Sequence, residues 1–218
     1  MFEHGSMWDY WLVFVHGTLL TLELAAVALL VGLVVGMVVG LARTYGPPVI
    51  RAGCLVFTET FRSIPPLLLF FGSFYGLSYA IGVKLSPFQA AVIAMVLEAS
   101  AFISEVVRAA YRSIDRGQWD AAQALGLSFT KTLLLIATPQ AMRVMIPPTI
   151  GVYVAVLKDS SFASIIGLVE LTQAGLLVRQ TVGQSLGIFL LLSGIYFVIN
   201  YSISSAALAL ERRLRFAA

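Results

Sequence analysis

Nineteen consecutive residues from Leu24 to Ala42 carry no charge, and a second uncharged run of 31 residues extends from Gln180 to Leu210. A helix needs about 20 apolar residues to cross a bilayer core roughly 30 Å thick, so each run predicts a membrane span. The first is preceded by Trp8, Tyr10, Trp11 and Phe14, aromatics suited to a membrane–water interface, which places span one at about residues 14–42. Within it Gly32, Gly36 and Gly40 recur every four positions, on one helix face where another helix can come close. A polar turn holding Arg43, Gly46, Pro47, Pro48 and Arg51 follows. Span two is then the apolar stretch at about residues 55–83, which opens with Glu59 and Arg62 and is interrupted by Pro65-Pro66. Lys84, Ser86 and Pro87 mark the next turn. Residues 88–110 read as span three, although Glu98 and Glu105 lie inside it. The segment from Tyr111 to about Arg143 is the most polar of the chain, and span four runs from about Val144 to Leu157 with Pro147-Pro148 near its start. The stretch 158–179, punctuated by Asp159 and Glu170, reads either as a short re-entrant segment or as a surface-lying helix. Residues 180–210 supply span five.

Composition sharpens this pattern into a class. Of 218 residues, 59% are hydrophobic and 11% charged, against roughly 25% charged in soluble domains. An ordinary soluble domain is excluded, and the expected fold is an all-α integral membrane protein, one domain over residues 1–218 with five transmembrane helices. The charge of +3 is too small and too dispersed for nucleic acid. It reports orientation instead: Arg43, Arg51, Arg108, Arg112, Arg116, Lys131, Arg143, Arg212, Arg213 and Arg215 collect on one side, ten of the 14 basic residues. Lys84, Lys158 and Arg179 fall on the other side, and Arg62 lies within span two. The positive-inside rule then puts the N-terminus outside and the C-terminus in the cytoplasm. Glu3 and Asp9 stand where a secretory signal carries Lys or Arg, so the first apolar segment is expected to remain as a span. The single cysteine, Cys54, excludes an intrachain disulfide and a cysteine-based metal cluster. With His4 and His16 both near the N-terminus and no histidine–carboxylate constellation, no catalytic or metal site is expected.

The polar loop at about 113–140 carries the decisive motif. It reads Asp120-Ala121-Ala122-Gln123-Ala124-Leu125-Gly126, then nine residues, then Ile136-Ala137-Thr138-Pro139. Alanine is the best helix former, Asp120 is expected near the helix start where a carboxylate favours the dipole, and Gly126 can supply the terminating turn. Small side chains at Ala121, Ala122 and Ala124 would let such a helix lie close against a partner.

This pattern resembles the membrane subunits of bacterial ATP-binding-cassette importers. Their signature is Glu-Ala-Ala, three residues, Gly, nine residues, Ile, one residue, Leu-Pro; the spacing here matches without a gap, with Asp120 for Glu and Thr138 for Leu. Further segments are similar to the polar amino-acid uptake branch: Glu59-Thr60-Phe61-Arg62-Ser63-Ile64-Pro65, Ser100-Ala101-Phe102-Ile103-Ser104-Glu105, Pro139-Gln140-Ala141, Leu157-Lys158-Asp159-Ser160-Ser161 and Glu170-Leu171-Thr172. Phe102 stands where that branch has tyrosine and so lacks its hydroxyl. The resemblance covers about residues 17–215. It implies the type I importer fold in the bacterial cytoplasmic (inner) membrane. Two permease chains, identical or homologous, would assemble there with a cytoplasmic ATPase dimer and an external or periplasmic amino-acid-binding protein. Asp120, Ala121, Ala122, Gly126, Ile136 and Pro139 would then couple to the ATPase, while Glu59, Arg62, Pro65 and Glu105 would belong to a packed structural motif.

The chain contains no Gly-x-x-x-x-Gly-Lys-Ser/Thr phosphate loop. No cofactor is therefore expected in it; ATP and Mg2+ would be bound by the partner. Charged residues in spans usually face a protein interior or an aqueous path. Glu98 has no base three or four positions away, so it either lines the pathway and attracts a basic or polar amino-acid substrate or pairs with a base on another helix. Lys158 and Asp159, at the end of span four, are further pathway candidates with Phe102. The rival reading is a secondary transporter driven by an ion gradient, with Pro65-Pro66 and Pro147-Pro148 breaking helices around an ion site.

Overall fold

The computed structural model describes residues 6–215, with side chains to residue 209. Every regular element among them is helical. A 3-10 turn at Met7–Tyr10 leads into α1 (Trp11–Tyr45), followed by α2 (Pro48–Ser63), α3 (Pro66–Phe71), a π-turn at Gly72–Leu77 and α4 (Ser78–Ile81). Next come α5 (Pro87–Arg112), α6 (Arg116–Ala124), α7 (Phe129–Thr132), a π-turn at Leu133–Ala137 and α8 (Thr138–Asp159). A 3-10 segment at Ser160–Ile166 precedes α9 (Leu171–Val182) and α10 (Ser185–Arg215). Four helical stretches are long and apolar enough to cross a membrane, Met7–Tyr45, Pro87–Arg112, Phe129–Ile166 and Ser185–Ala209, and the bent pair Pro48–Ser63 and Pro66–Ile81 makes up to five.

The glycine face of α1 is the seam of the fold. A Cβ built on Gly32, Gly36 or Gly40 would lie 2.7, 2.7 and 2.6 Å from the Cβ atoms of Ala99, Ile103 and Val107 on α5. Only glycine lets the two backbones meet at that distance. Two positions away on each turn, about 200° around the helix, Leu30, Val34 and Val38 are exposed and fit a lipid environment. The seam continues toward the N-terminus, where Gly17 packs on Leu171 and Ala174 of α9. The opposing helix α5 begins with Pro87 behind a capping box: Ser86 Oγ accepts from Gln89 N–H and Gln89 Oε1 accepts from Ser86 N–H.

One expectation changes and two become definite. The interruption expected within span two is a sharp break, because Pro65 and Pro66 stop the helix and the chain turns by 110° between Ser63 and Pro66. Ile64, held before a proline, takes an extended ψ of 128°. Span four does not begin near Val144: helical chain already starts at Phe129, and Pro139, Pro147 and Pro148 are accommodated within it. The π-turn ahead of Pro139 absorbs part of that disruption, with Thr138 N–H and Thr138 Oγ1 both donating to Leu133 O. Finally, the stretch after Lys158 forms a 3-10 segment ending at Gly167, φ 86°, and then α9. At about 1.5 Å per residue α9 is too short to cross the hydrocarbon core. It lies against α1 and α10.

Candidate functional site

The motif segment forms α6, but Asp120 does not start it. Asp115 does, accepting from Gly117 N–H through Oδ1 at 2.6 Å, which leaves Asp120 in mid-helix and exposed. The end matches the expectation for Gly126. Its φ is +73°, and the pair Gly126 N–H to Gln123 O (2.9 Å) and Leu127 N–H to Ala122 O (3.0 Å) closes the helix in a Schellman turn. Of the small residues, Ala122 faces into the chain and is buried, whereas Ala121 and Ala124 remain exposed. Leu125 is 79% exposed; it occupies a position that the motif leaves free, so the pattern alone did not single it out.

Aromatic rings brace this helix. Tyr45, the last residue of α1, packs edge-on against Tyr111 of α5 and Phe129 of α7 at 5.9 and 5.3 Å, and Trp119 of α6 stacks on Phe129 at 5.8 Å. Ile136 and Pro139 lie apart from α6, in the π-turn and the first turn of α8. Gln140 links the two parts, donating to Gln118 Oε1 at 3.3 Å and to Ile136 O at 3.0 Å.

Glu59 and Arg62 belong to a larger ionic cluster than their spacing suggests. They stand 3.9 Å apart, and Arg43 of α1 donates to Glu105 Oε2 at 2.5 Å and to Glu59 Oε1 at 3.5 Å. Arg108 completes a bidentate pair with Glu105. The cluster ties α1, α2 and α5 together just before the break at Pro65. Arg62 also lies over the Phe102 ring, 5.4 Å from its centre, and both line a groove of about 270 Å³ closed by Val144, Pro148 and Val152 of α8.

Glu98 is only 4% exposed, near the middle of α5, and Oε2 has no hydrogen-bond donor among the described residues. The group facing it from another helix is not a base but the carboxyl of Asp159. Lys158, one residue away on α8, turns instead into a groove of about 390 Å³ between α8 and α10, beside Tyr196, Asn200 and Tyr201. The structure therefore brings Glu98 and Asp159 together and sets Lys158 on a neighbouring face.

Glu170 has a role that spacing did not disclose. Wholly buried, it caps α9 by accepting from Thr172 and Gln173 N–H at 2.9 Å each, and it accepts from Tyr196 OH of α10 at 3.0 Å. Thr21 Oγ1 of α1 donates to it at 3.4 Å and in turn accepts from Leu171 N–H at 3.1 Å. Burial pushes this carboxyl above its ordinary range, while the four donors pull it down.

Comparison with known proteins gives this arrangement a family. Residues 32–216 match the family model described as the binding-protein-dependent transport system inner membrane component. The chain belongs to that family. Over 218 residues this permease is 38% identical to the probable glutamine ABC transporter permease protein GlnP of Bacillus subtilis, covering 97% of the chain and 95% of the relative. It is 33% identical to the L-cystine transport system permease protein TcyB of the same organism, over 95% of the chain and 91% of the relative. A solved amino acid ABC transporter, described as determined with histidines, superposes with a TM-score of 0.89 at 26% identity, covering 98% of this permease and 99% of that chain. The fold is thus that of the type I ABC importer permeases, and the family is a membrane transport component, not an enzyme.

Proposed function

We propose that this chain is one of two permease subunits, identical or homologous, of an ATP-driven amino-acid importer in the bacterial cytoplasmic membrane. Its N-terminus lies outside and its C-terminus inside. A separate ABC ATPase dimer binds and hydrolyses ATP with Mg2+, and an external binding protein delivers the substrate. The observation that carries this reading is α6: a short helix offering Asp120, Ala121, Ala124 and Leu125 outward while its aromatic brace holds it to the ends of α1 and α5. Such a lever transmits a push from a docked ATPase into the membrane helices.

In sealed vesicles uptake requires ATP on the cytoplasmic side. Gly126→Val puts a β-branched residue at a positive φ, so the turn that ends α6 cannot keep its shape. Uptake should fall by about five- to thirty-fold, the equivalent of roughly 1–2 kcal/mol of backbone strain, while ATP hydrolysis persists and the complex still assembles. Undiminished coupled uptake in that variant sinks the assignment of α6. Uptake driven by an ion gradient without ATP favours the secondary-transporter reading.

Relatives named for glutamine and cystine transport support an amino-acid substrate. Within the chain, the facing carboxyls of Glu98 and Asp159 favour an ammonium or guanidinium group and disfavour acidic substrates, so a basic or polar amino acid fits best. Lys158, on the adjoining face, suits a substrate carboxylate, with Phe102 one helical turn beyond Glu98. In Glu98→Gln, which keeps the shape and removes the ionisable carboxyl, uptake of a cationic amino acid should drop several-fold more than that of a neutral one. Equal losses for both, in a normally assembled complex, would make Glu98 a structural residue.

A further inference from the structure

Where α1 ends, α2 begins and α5 closes, a cleft of about 360 Å³ is lined by Arg43, Arg51, Arg108 and Arg112 together with Pro48, Ala52 and Leu55. Two of its guanidiniums are engaged: Arg43 and Arg108 share Glu105. The other two are not. Arg51 and Arg112 are exposed and make no ion pair among the described residues. The cleft therefore carries an uncompensated double positive charge over an apolar floor.

We propose that it binds the phosphate of an anionic phospholipid, with Arg51 and Arg112 as the charged ligands and Pro48, Ala52 and Leu55 against the first carbons of the lipid tails. Position supports a lipid. The cleft lies at the ends of two candidate spans, α1 and α5, and on α2 it is flanked by the exposed apolar side chains of Val49 and Val56, three and four positions from Ala52. Direction supports it too. Arg43 and Tyr45 are two positions apart, about 200° around α1, so the arginine turns away from the ring cluster in which Tyr45 holds α6. Arg108 and Arg112, one turn apart, share a face of α5 beside, not beneath, Tyr111. The helix assigned to ATPase docking and the arginine cleft thus look in different directions, which disfavours an acidic protein surface as the occupant. Guanidinium forks suit phosphate oxygens, and basic pockets between helices at the membrane boundary recognise lipid headgroups in this way.

The test reconstitutes the full chain, with its co-expressed subunits, in vesicles containing spin-labelled phosphatidylglycerol or spin-labelled phosphatidylcholine. The wild type should restrain phosphatidylglycerol preferentially, and the preference should weaken as salt rises. Arg51→Gln with Arg112→Gln should reduce it by about five-fold per guanidinium removed, whereas the double lysine replacement retains most of it. An unchanged preference in the glutamine variant overturns the proposal. Displacement of the lipid by excess inorganic phosphate overturns it in favour of a free-anion site, and loss of a protein subunit with lipid preference intact overturns it in favour of an acidic protein partner. Should the glutamine variant fail to assemble, a wild-type preference insensitive to salt is by itself disproof.

Discussion

Gly36→Ile is expected to abolish recovery of folded protein. The first atom added at Gly36 would already stand 2.7 Å from Ile103 Cβ and Cγ2 and 2.9 Å from Ser100 O. Ile103 Cγ2 can turn away with a change of rotamer; Ile103 Cβ and the carbonyl of Ser100 are fixed by the α5 backbone and cannot move without the helix. Overpacking of side chains alone costs about 1–3 kcal/mol, and a backbone obstacle with three more carbons to place adds to that. The ionic cluster of Arg43 with Glu59 and Glu105 depends on the same seating of α1 on α5. Size-exclusion recovery and the thermal midpoint in detergent measure the effect. Val38→Ile, on the face of α1 turned away from α5 and 63% exposed, adds bulk without an obstacle and should change neither. A stable, monodisperse Gly36→Ile protein would refute the close seam.

The second large effect is at Glu170. Replacement by alanine removes the cap of α9, worth about 1–2 kcal/mol, and leaves buried donors short of an acceptor at about 1–3 kcal/mol. Thr172 Oγ1 still partners Tyr196 OH, which moderates the loss, and a net destabilisation of about 2–4 kcal/mol is expected. Glu170→Gln, which retains one acceptor oxygen for the helix end, should lose less. The pH dependence follows from burial, the dominant influence, which raises the carboxyl above its ordinary value in the folded chain. A raised folded value means a contribution fully present below the unfolded pKa and lost as pH rises through the folded one. Thermal stability of wild type and Glu170→Ala should therefore differ most in the acid range, with the gap narrowing toward neutrality. A gap that widens with rising pH would contradict this account.

The two predictions sit at opposite ends of legibility. Gly32, Gly36 and Gly40 could be read from the chain because a spacing of four matches the helix period and because glycine has a single steric use in such a row. Pro65-Pro66 announced a break for the same local reason, but not the 110° bend, which depends on what the next helix packs against. The start of the fourth span was misplaced because Lys131, Arg143 and three prolines look like loop residues one at a time, while the helix passes them with one π-turn. Asp120 drew attention through its motif; Asp115, five residues earlier, has the backbone geometry of a cap. Glu98 was visible as a costly charge inside a span and Glu170 only as a polar interruption, and the partners of neither could be read. Asp159, Thr21 and Tyr196 come to them through helix packing over separations that no periodicity records.

The ring cluster at the foot of α1 has an optical consequence. The chain has three tryptophans, of which Trp8 and Trp11 are well exposed near the N-terminus. Trp119 alone sits on α6, stacked on Phe129 and tilted against Tyr45 at 5.8 Å each. With the two N-terminal indoles replaced by phenylalanine, all remaining tryptophan emission originates from the helix assigned to the ATPase contact. Loosening of the stack then registers as a change in intensity and wavelength, with no dye attached. The permease thus has a built-in gauge at the joint where chemical energy would enter the membrane, readable in real time as nucleotide is added.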